Sequence, residues 1–289
     1  MTTSLEEFLT ARRAAGRRLL VPYVTAGAAP GWTDVVRAYA DAGADAVEIG
    51  FPFSDPMLDG VTIQEASDRA IAAGTTVTEI LREVTALDVG VPLVAMTYGN
   101  LVFQRSGAEF CAALATSGLR GLIVPDVPLE EAGDLADAAA KEHLDLVLLA
   151  APSTSRDRLR QIAGRSRGFV YALTRMGTTG ERGEVPEQAA RLGRDLKELT
   201  DLPVLFGFGV SSPAQAAELA RHADGVVVAS ALMRRLLDGA RPRELGEYVA
   251  SIRRALDGAV DREPDEHATL PRHRRRPDPQ DQVGPLPRG

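Results

Sequence analysis

The chain has 289 residues, a net charge of −7 with acids and bases mixed along most of its length, and one cysteine. That length buries a large core without disulfide or metal staples, and the lone Cys111 excludes an internal disulfide and points to a reducing cytoplasm. The lack of a concentrated basic face excludes nucleic acid as the main partner, while runs such as Leu144–Pro152 are too short to span a bilayer. The opening Met1–Glu7 carries acids where a signal peptide needs a basic region, so no signal peptide is expected. Within it, Ser4 and Glu7 form the pattern of a capping box and predict a short helix.

An apolar, β-branched run then appears at Leu19–Val24 and is followed by an amphipathic stretch at Trp32–Ala42. The same alternation repeats along the chain. Strand signals fall at Ala46–Gly50, Pro92–Thr97, Gly121–Pro125, Asp145–Ala150, Gly168–Leu173, Pro203–Gly207 and Gly225–Ala229. Helix signals follow at Thr76–Leu87, Ala108–Ser117, Leu129–His143, Ser155–Ser166, Glu187–Leu199, Ser212–His222 and Arg243–Leu256, with shorter ones near Ile63–Ala72 and at Ser230–Leu237. Continuous apolar strands alternating with helices indicate a parallel sheet covered by helices. Eight such units over roughly 250 residues predict one (β/α)8 barrel, α/β in class, with an extra N-terminal helix and a short helix after strand eight. The barrel is expected to occupy residues 1–257. From Gly258 to Gly289 the chain turns rich in proline and arginine and poor in large apolar residues, which predicts a disordered tail.

The active end of such a barrel is where the strands finish. On strand two, alternation places Val47 and Ile49 on one face and Glu48 on the other. Neither face of a barrel strand offers water, so Glu48 is either a structural carboxylate bonded to a neighbouring strand or a general acid/base with a raised pKa. Eleven residues on, Asp59 precedes Gly60 in a loop at the same rim; two carboxylates in different surroundings can divide acid and base roles. Asp55, before Pro56, reads as a turn former. Glycines in Gly207-Phe208-Gly209, together with Ala229-Ser230 at the start of the short helix, form the pattern of a phosphate cradle built from backbone N–H groups. The long polar loop after strand six, Thr174–Pro186, suits a lid. Asp126 and Asn100 fit loop support as well as substrate contact. The histidines form no ligand pair, and no dinucleotide fingerprint is present.

These motifs resemble the tryptophan synthase α subunit family: Pro22-Tyr-Val-Thr-Ala-Gly27, Glu48-Ile-Gly-Phe-Pro-Phe-Ser-Asp-Pro56, Asp59-Gly60, Val124-Pro-Asp-Val-Pro128, Thr179-Gly180, Gly207-Phe-Gly209 and Ser230-Ala231, in order over roughly Ser4 to Leu256. The resemblance implies retro-aldol cleavage of indole-3-glycerol phosphate to indole and glyceraldehyde 3-phosphate. It makes Glu48 the proton shuttle and Asp59 the acceptor of the indole N–H. It further implies that Tyr171 lines the indole pocket and that Thr179 belongs to the lid. Gly180, Phe208, Gly209 and Ser230 would hold phosphate, with Gly207 and Ala229 in the same cradle. No cofactor is implied on this chain; pyridoxal phosphate is expected on a β subunit, in an α2β2 assembly. The chain departs from the family pattern at Leu58 (usually small), Val61 (usually proline), Ala28–Pro30, Gly99–Leu101 and Ala229 (usually glycine). A stand-alone lyase releasing free indole, or a catalytically weak protein that activates a β subunit, are the alternative readings.

Overall fold

The structure, a computed structural model, describes residues 3–174, 187–207 and 209–260. Eight parallel strands close on themselves in sequence order. They are β1 Leu19–Thr25, β2 Val47–Gly50, β3 Leu93–Met96, β4 Gly121–Ile123, β5 Asp145–Ala150, β6 Val170–Leu173, β7 Val204–Gly207 and β8 Gly225–Val228. β8 meets β1 through the register Leu19↔Gly225 to Pro22↔Val228, which completes the (β/α)8 barrel. Every strand lies within or beside its predicted run. A β-branched or leucine-rich segment of three to seven residues has few alternatives once both of its faces are covered.

Alternation sorts the side chains into two cores. Val47 and Ile49 point outward into the large cluster under the helices. Leu19, Val21, Val94, Ile123, Val147, Phe169, Leu205 and Val227 point inward and fill the barrel. Leu5 and Leu9 belong to that inner cluster although they lie on a helix, Leu5–Ala14. This helix plugs the barrel where the strands begin. Its start is the expected capping box: the Ser4 hydroxyl accepts from the Glu7 N–H while the Glu7 side chain accepts from the Ser4 N–H. The leucines need glycines opposite them. A Cβ at Gly121 or Gly168 would stand 2.7 or 2.8 Å from Leu5 Cδ2.

Three differences from the predicted elements have physical reasons. The helix placed at Leu129–His143 begins only at Gly133, because residues 128–131 make a turn in which the Glu131 N–H bonds the Pro128 carbonyl. A five-residue helix, Gly99–Phe103, was not predicted; it is too short to show a hydrophobic period. The closing helix, Pro242–Val260, runs through Gly258, so positions 258–260 extend the barrel's last helix rather than begin a tail. The remainder of the expected tail, 261–289, and the loop 175–186 lie outside the described residues. No helix among the described residues is long and apolar enough to cross a membrane.

Candidate active site

A cavity of about 430 Å³ opens where the strands finish. Glu48, Asp59, Tyr171, Gly209, Ala229 and Ser230, six of the residues singled out above, line it together. Glu48 reaches it because β2 turns that residue inward one layer above Ala46. It is 1 % exposed, and its Oε2 has no hydrogen-bond partner. Burial, and next the nearby charge of Asp59, push its pKa up to about 8. The structural alternative, a carboxylate tied to a neighbouring strand, does not fit an unpartnered oxygen.

Asp59 sits in the loop between β2 and the helix Val61–Ala72. It is 8 % exposed, and burial raises its pKa to about 6, against a lowering hydrogen bond from Tyr98. Tyr98 is a residue that the sequence reasoning passed over. Its hydroxyl also accepts the Leu58 N–H at 3.2 Å, and its ring stacks on Phe53 at 5.1 Å. One tyrosine from the loop after β3 thereby holds both sides of the Asp59 loop. Asp55 is exposed and accepts from the Ser54 hydroxyl, as a turn residue does. Asp126 likewise supports a loop, its carboxylate accepting the Gly99 N–H at 2.8 Å.

Two tyrosines enter the barrel from opposite sides, each over a glycine. Tyr23 on β1 lies against Gly50, where a Cβ would stand 1.8 Å from its hydroxyl; Tyr171 on β6 lies against Gly207, where a Cβ would stand 2.2 Å from its hydroxyl. The missing side chain of Gly207, expected in the phosphate cradle, makes room for Tyr171; Gly207 is not among the residues that line the cavity. Tyr23 was quoted only as part of a motif, yet it lines the cavity and its hydroxyl pairs with Thr25 Oγ1 at 3.1 Å. The pairing of each tyrosine with a glycine two positions above its register partner becomes visible only once strands are paired.

The same cavity is lined by Gly209, Ala229 and Ser230, residues of the expected phosphate cradle. Gly209 has φ +88°, a left-handed conformation that favours glycine. The helix Ser230–Leu237 starts at the predicted residue, and its first two residues, Ser230 and Ala231, line the cavity. In a helix the N–H groups of the first turn lack carbonyl partners four residues back, and the positive dipole end favours an anion. Ala229 precedes this helix at φ −116°, so its backbone is not in the left-handed conformation that would require glycine. Phe208, Thr179 and Gly180 lie outside the described residues. Among the described residues no group of three or more His, Cys, Asp or Glu is placed to hold a metal ion.

Comparison with known proteins gives a single answer. Residues 9–255 match the family model described as tryptophan synthase alpha chain. The tryptophan synthase alpha chain of Picosynechococcus sp. is 40% identical over 242 residues, covering 82% of this chain and 92% of that one. That of Methanosarcina mazei is 43% identical over 234 residues, covering 80% and 86%. Among solved structures, a chain of Mycobacterium tuberculosis tryptophan synthase superposes with a TM-score of 0.81 at 36% identity, covering 89% of this chain and 99% of that one.

Proposed function

Because this chain belongs to the tryptophan synthase alpha chain family, we propose that Glu48 and Asp59 share the proton transfers of that family's lyase reaction. The reaction is the retro-aldol cleavage of indole-3-glycerol phosphate to indole and glyceraldehyde 3-phosphate, a step of tryptophan biosynthesis. The observation that carries the assignment is the unpartnered Oε2 of Glu48, buried beside Asp59 in the cavity.

The carbon–carbon bond to indole C3 breaks once C3 is protonated and the adjoining side-chain hydroxyl gives up its proton. With a pKa of about 8, Glu48 still holds a proton near neutrality and delivers it to C3. Asp59, at about 6, is ionised over the same range and accepts the indole N–H, which stabilises the positive charge that C3 protonation places on the ring nitrogen. The Glu48 carboxylate so formed removes the hydroxyl proton. A carbonyl forms, the bond electrons return to the ring as the C2–C3 double bond, and Glu48 ends as it began. The environments of the two carboxylates set their different tasks. Tyr171 and Tyr23 form walls for the indole ring, and Gly209 with the start of the helix Ser230–Leu237 receives the phosphate.

This step needs no cofactor; pyridoxal phosphate belongs to the β subunit that takes up the indole. Met57, Leu58, Val61 and Phe103 form an exposed apolar group on or near the Asp59 loop, 42–77 % exposed, and suit docking of that subunit. A cytoplasmic setting agrees with the unpaired, buried Cys111.

The test is indole release from indole-3-glycerol phosphate, with and without β subunit, by wild type and by Glu48→Gln and Asp59→Asn. We expect kcat/KM to follow a bell whose limbs fall near the two carboxylate values: activity rises as Asp59 loses its proton and falls as Glu48 loses its own. Full activity in either variant would remove the assignment.

A further inference from the structure

We propose that Arg235 binds the phosphate of the substrate, a charged side-chain contact added to a cradle otherwise made of backbone N–H groups. This rests on the phosphate end of the cavity assigned above. The substrate brings a phosphate monoester with close to two negative charges near neutrality. The cavity that must receive it is lined by three carboxylates, Glu48, Asp59 and Asp238, and among the described residues by two guanidinium groups. Arg234 is neutralised, pairing with Glu65 at 2.5 Å and Asp238 at 3.4 Å. Arg235 has no carboxylate partner among the described residues.

Its position suits the task. Arg235 lies four residues after Ala231, on the same face of the helix, and helix side chains lean toward the N-terminus. Arg235 accordingly lines the same cavity as Ser230 and Ala231 at the start of the helix. The head is held 3.8 Å over the ring of Tyr248, a cation–π contact that limits its freedom before any ligand arrives. The Tyr248 hydroxyl in turn donates to the Ser211 carbonyl at 2.7 Å, which ties this platform to the loop after β7. Two donors of that loop are already engaged. Ser211 spends both its N–H (2.9 Å) and its hydroxyl (2.8 Å) on Gln215 Oε1, so neither is free for an anion. Arg235 supplies hydrogen-bond donors and charge on the side where Ser211 supplies none.

The experiment measures glycerol 3-phosphate binding to the full chain by calorimetry, at low and high salt, alongside steady-state turnover. For Arg235→Gln we expect affinity about tenfold weaker at low salt, the scale of one charge-assisted contact at a half-open site. The gap should narrow at high salt, since an exposed contact is screened. KM for indole-3-glycerol phosphate rises about as much, kcat changes less than about twofold and indole binding is unchanged. Arg235→Lys restores part of the loss. Unchanged affinity in Arg235→Gln overturns the proposal, as does equal loss of indole and glycerol 3-phosphate, which would mark a structural role through Tyr248. Ala231→Asp separates this from the underlying assignment: a carboxylate there suits the helix start but repels phosphate. Binding lost in Ala231→Asp alone leaves the cradle standing and removes Arg235. Binding kept in both variants removes the phosphate site itself.

Discussion

Buried carboxylates at the two ends of this barrel are treated in opposite ways. Where the strands begin, Asp45 accepts from Arg17 Nε at 2.6 Å, the Leu20 N–H at 2.9 Å and an Arg253 guanidinium nitrogen at 3.2 Å. Asp224 accepts the Val204 N–H at 3.0 Å and meets Lys197 at 3.1 Å, and Asp145 accepts the Glu6 N–H at 2.8 Å. Where the strands finish, Glu48 has an oxygen with no partner, and Asp59 is held by one tyrosine. Asp45 and Glu48 are equally hidden from water, at 0 % and 1 % exposure, and sit three residues apart. Burial therefore does not distinguish the proposed catalytic acid from the structural one; the supply of donors does. A carboxylate supplied with donors fastens the elements around it, whereas Glu48, left short of them and with its pKa raised by burial, holds a proton that it can give away.

The comparison breaks most visibly if Glu48→Gln keeps its activity. We expect kcat to fall by about a thousandfold, within the range for loss of a general acid/base. The same variant should gain stability. Folded Glu48 keeps its proton up to about pH 8 while the unfolded side chain loses it near 4.5, so the folded state binds the extra proton across that interval. Wild-type stability drops as pH rises through that window, and the glutamine variant escapes the loss. Its Tm should exceed wild type by several degrees at pH 8, with the difference shrinking toward pH 4.5. A variant less stable at pH 8 would mean that Glu48 is a satisfied structural group after all.

Asp45→Asn should behave in the opposite way. Leaving Arg17 and the buried Arg253 without their counter-charge should cost about 3 kcal/mol in urea unfolding, with kcat of the folded fraction unchanged. A specific loss of kcat would show that the two ends are not separate. The smallest effect is expected for Tyr98→Phe, which sharpens the contrast within the active end. Loss of a hydrogen bond that lowers the Asp59 pKa should move the acid limb of the kcat/KM profile upward. Activity should fall a few-fold below neutrality and little above it. An unmoved limb would show that Tyr98 only supports the Leu58 backbone.

These contrasts explain what could be read before the chain was folded. Strand identity and the count of eight follow from apolar runs, and Glu48 stands out because a carboxylate interrupts one of them. Asp59 and the start of the helix at Ser230 lie near turn residues with local signatures. Tyr98 and Arg235 carry no such mark. An aromatic residue beside a strand and an arginine on a helix are ordinary in sequence, and their significance comes from neighbours 39 and 13 residues away, Asp59 and Tyr248. The place of Gly207 beneath Tyr171 was also hidden, because a glycine near a phosphate loop and a glycine beneath a tyrosine look alike until register is known. Asp45 and Asp224 likewise gave no hint of their structural bonds, which come from distant arginine, lysine and backbone donors.

The helix that plugs the barrel has a consequence for how the chain is made. Its seat is assembled from much later sequence: the Glu6 N–H bonds Asp145, the Glu6 carboxylate accepts the Gly168 N–H, and Arg13 bonds the Asp201 carbonyl, at separations of 139, 162 and 188 residues. At ribosomal speeds of about 5–20 residues per second, those partners emerge on the order of ten seconds or more after the helix does. Through that interval Leu5, Phe8 and Leu9 form a greasy stripe with nowhere to dock, visible to chaperones and to other nascent chains. A segment synthesised before its partners is among the last to find its place.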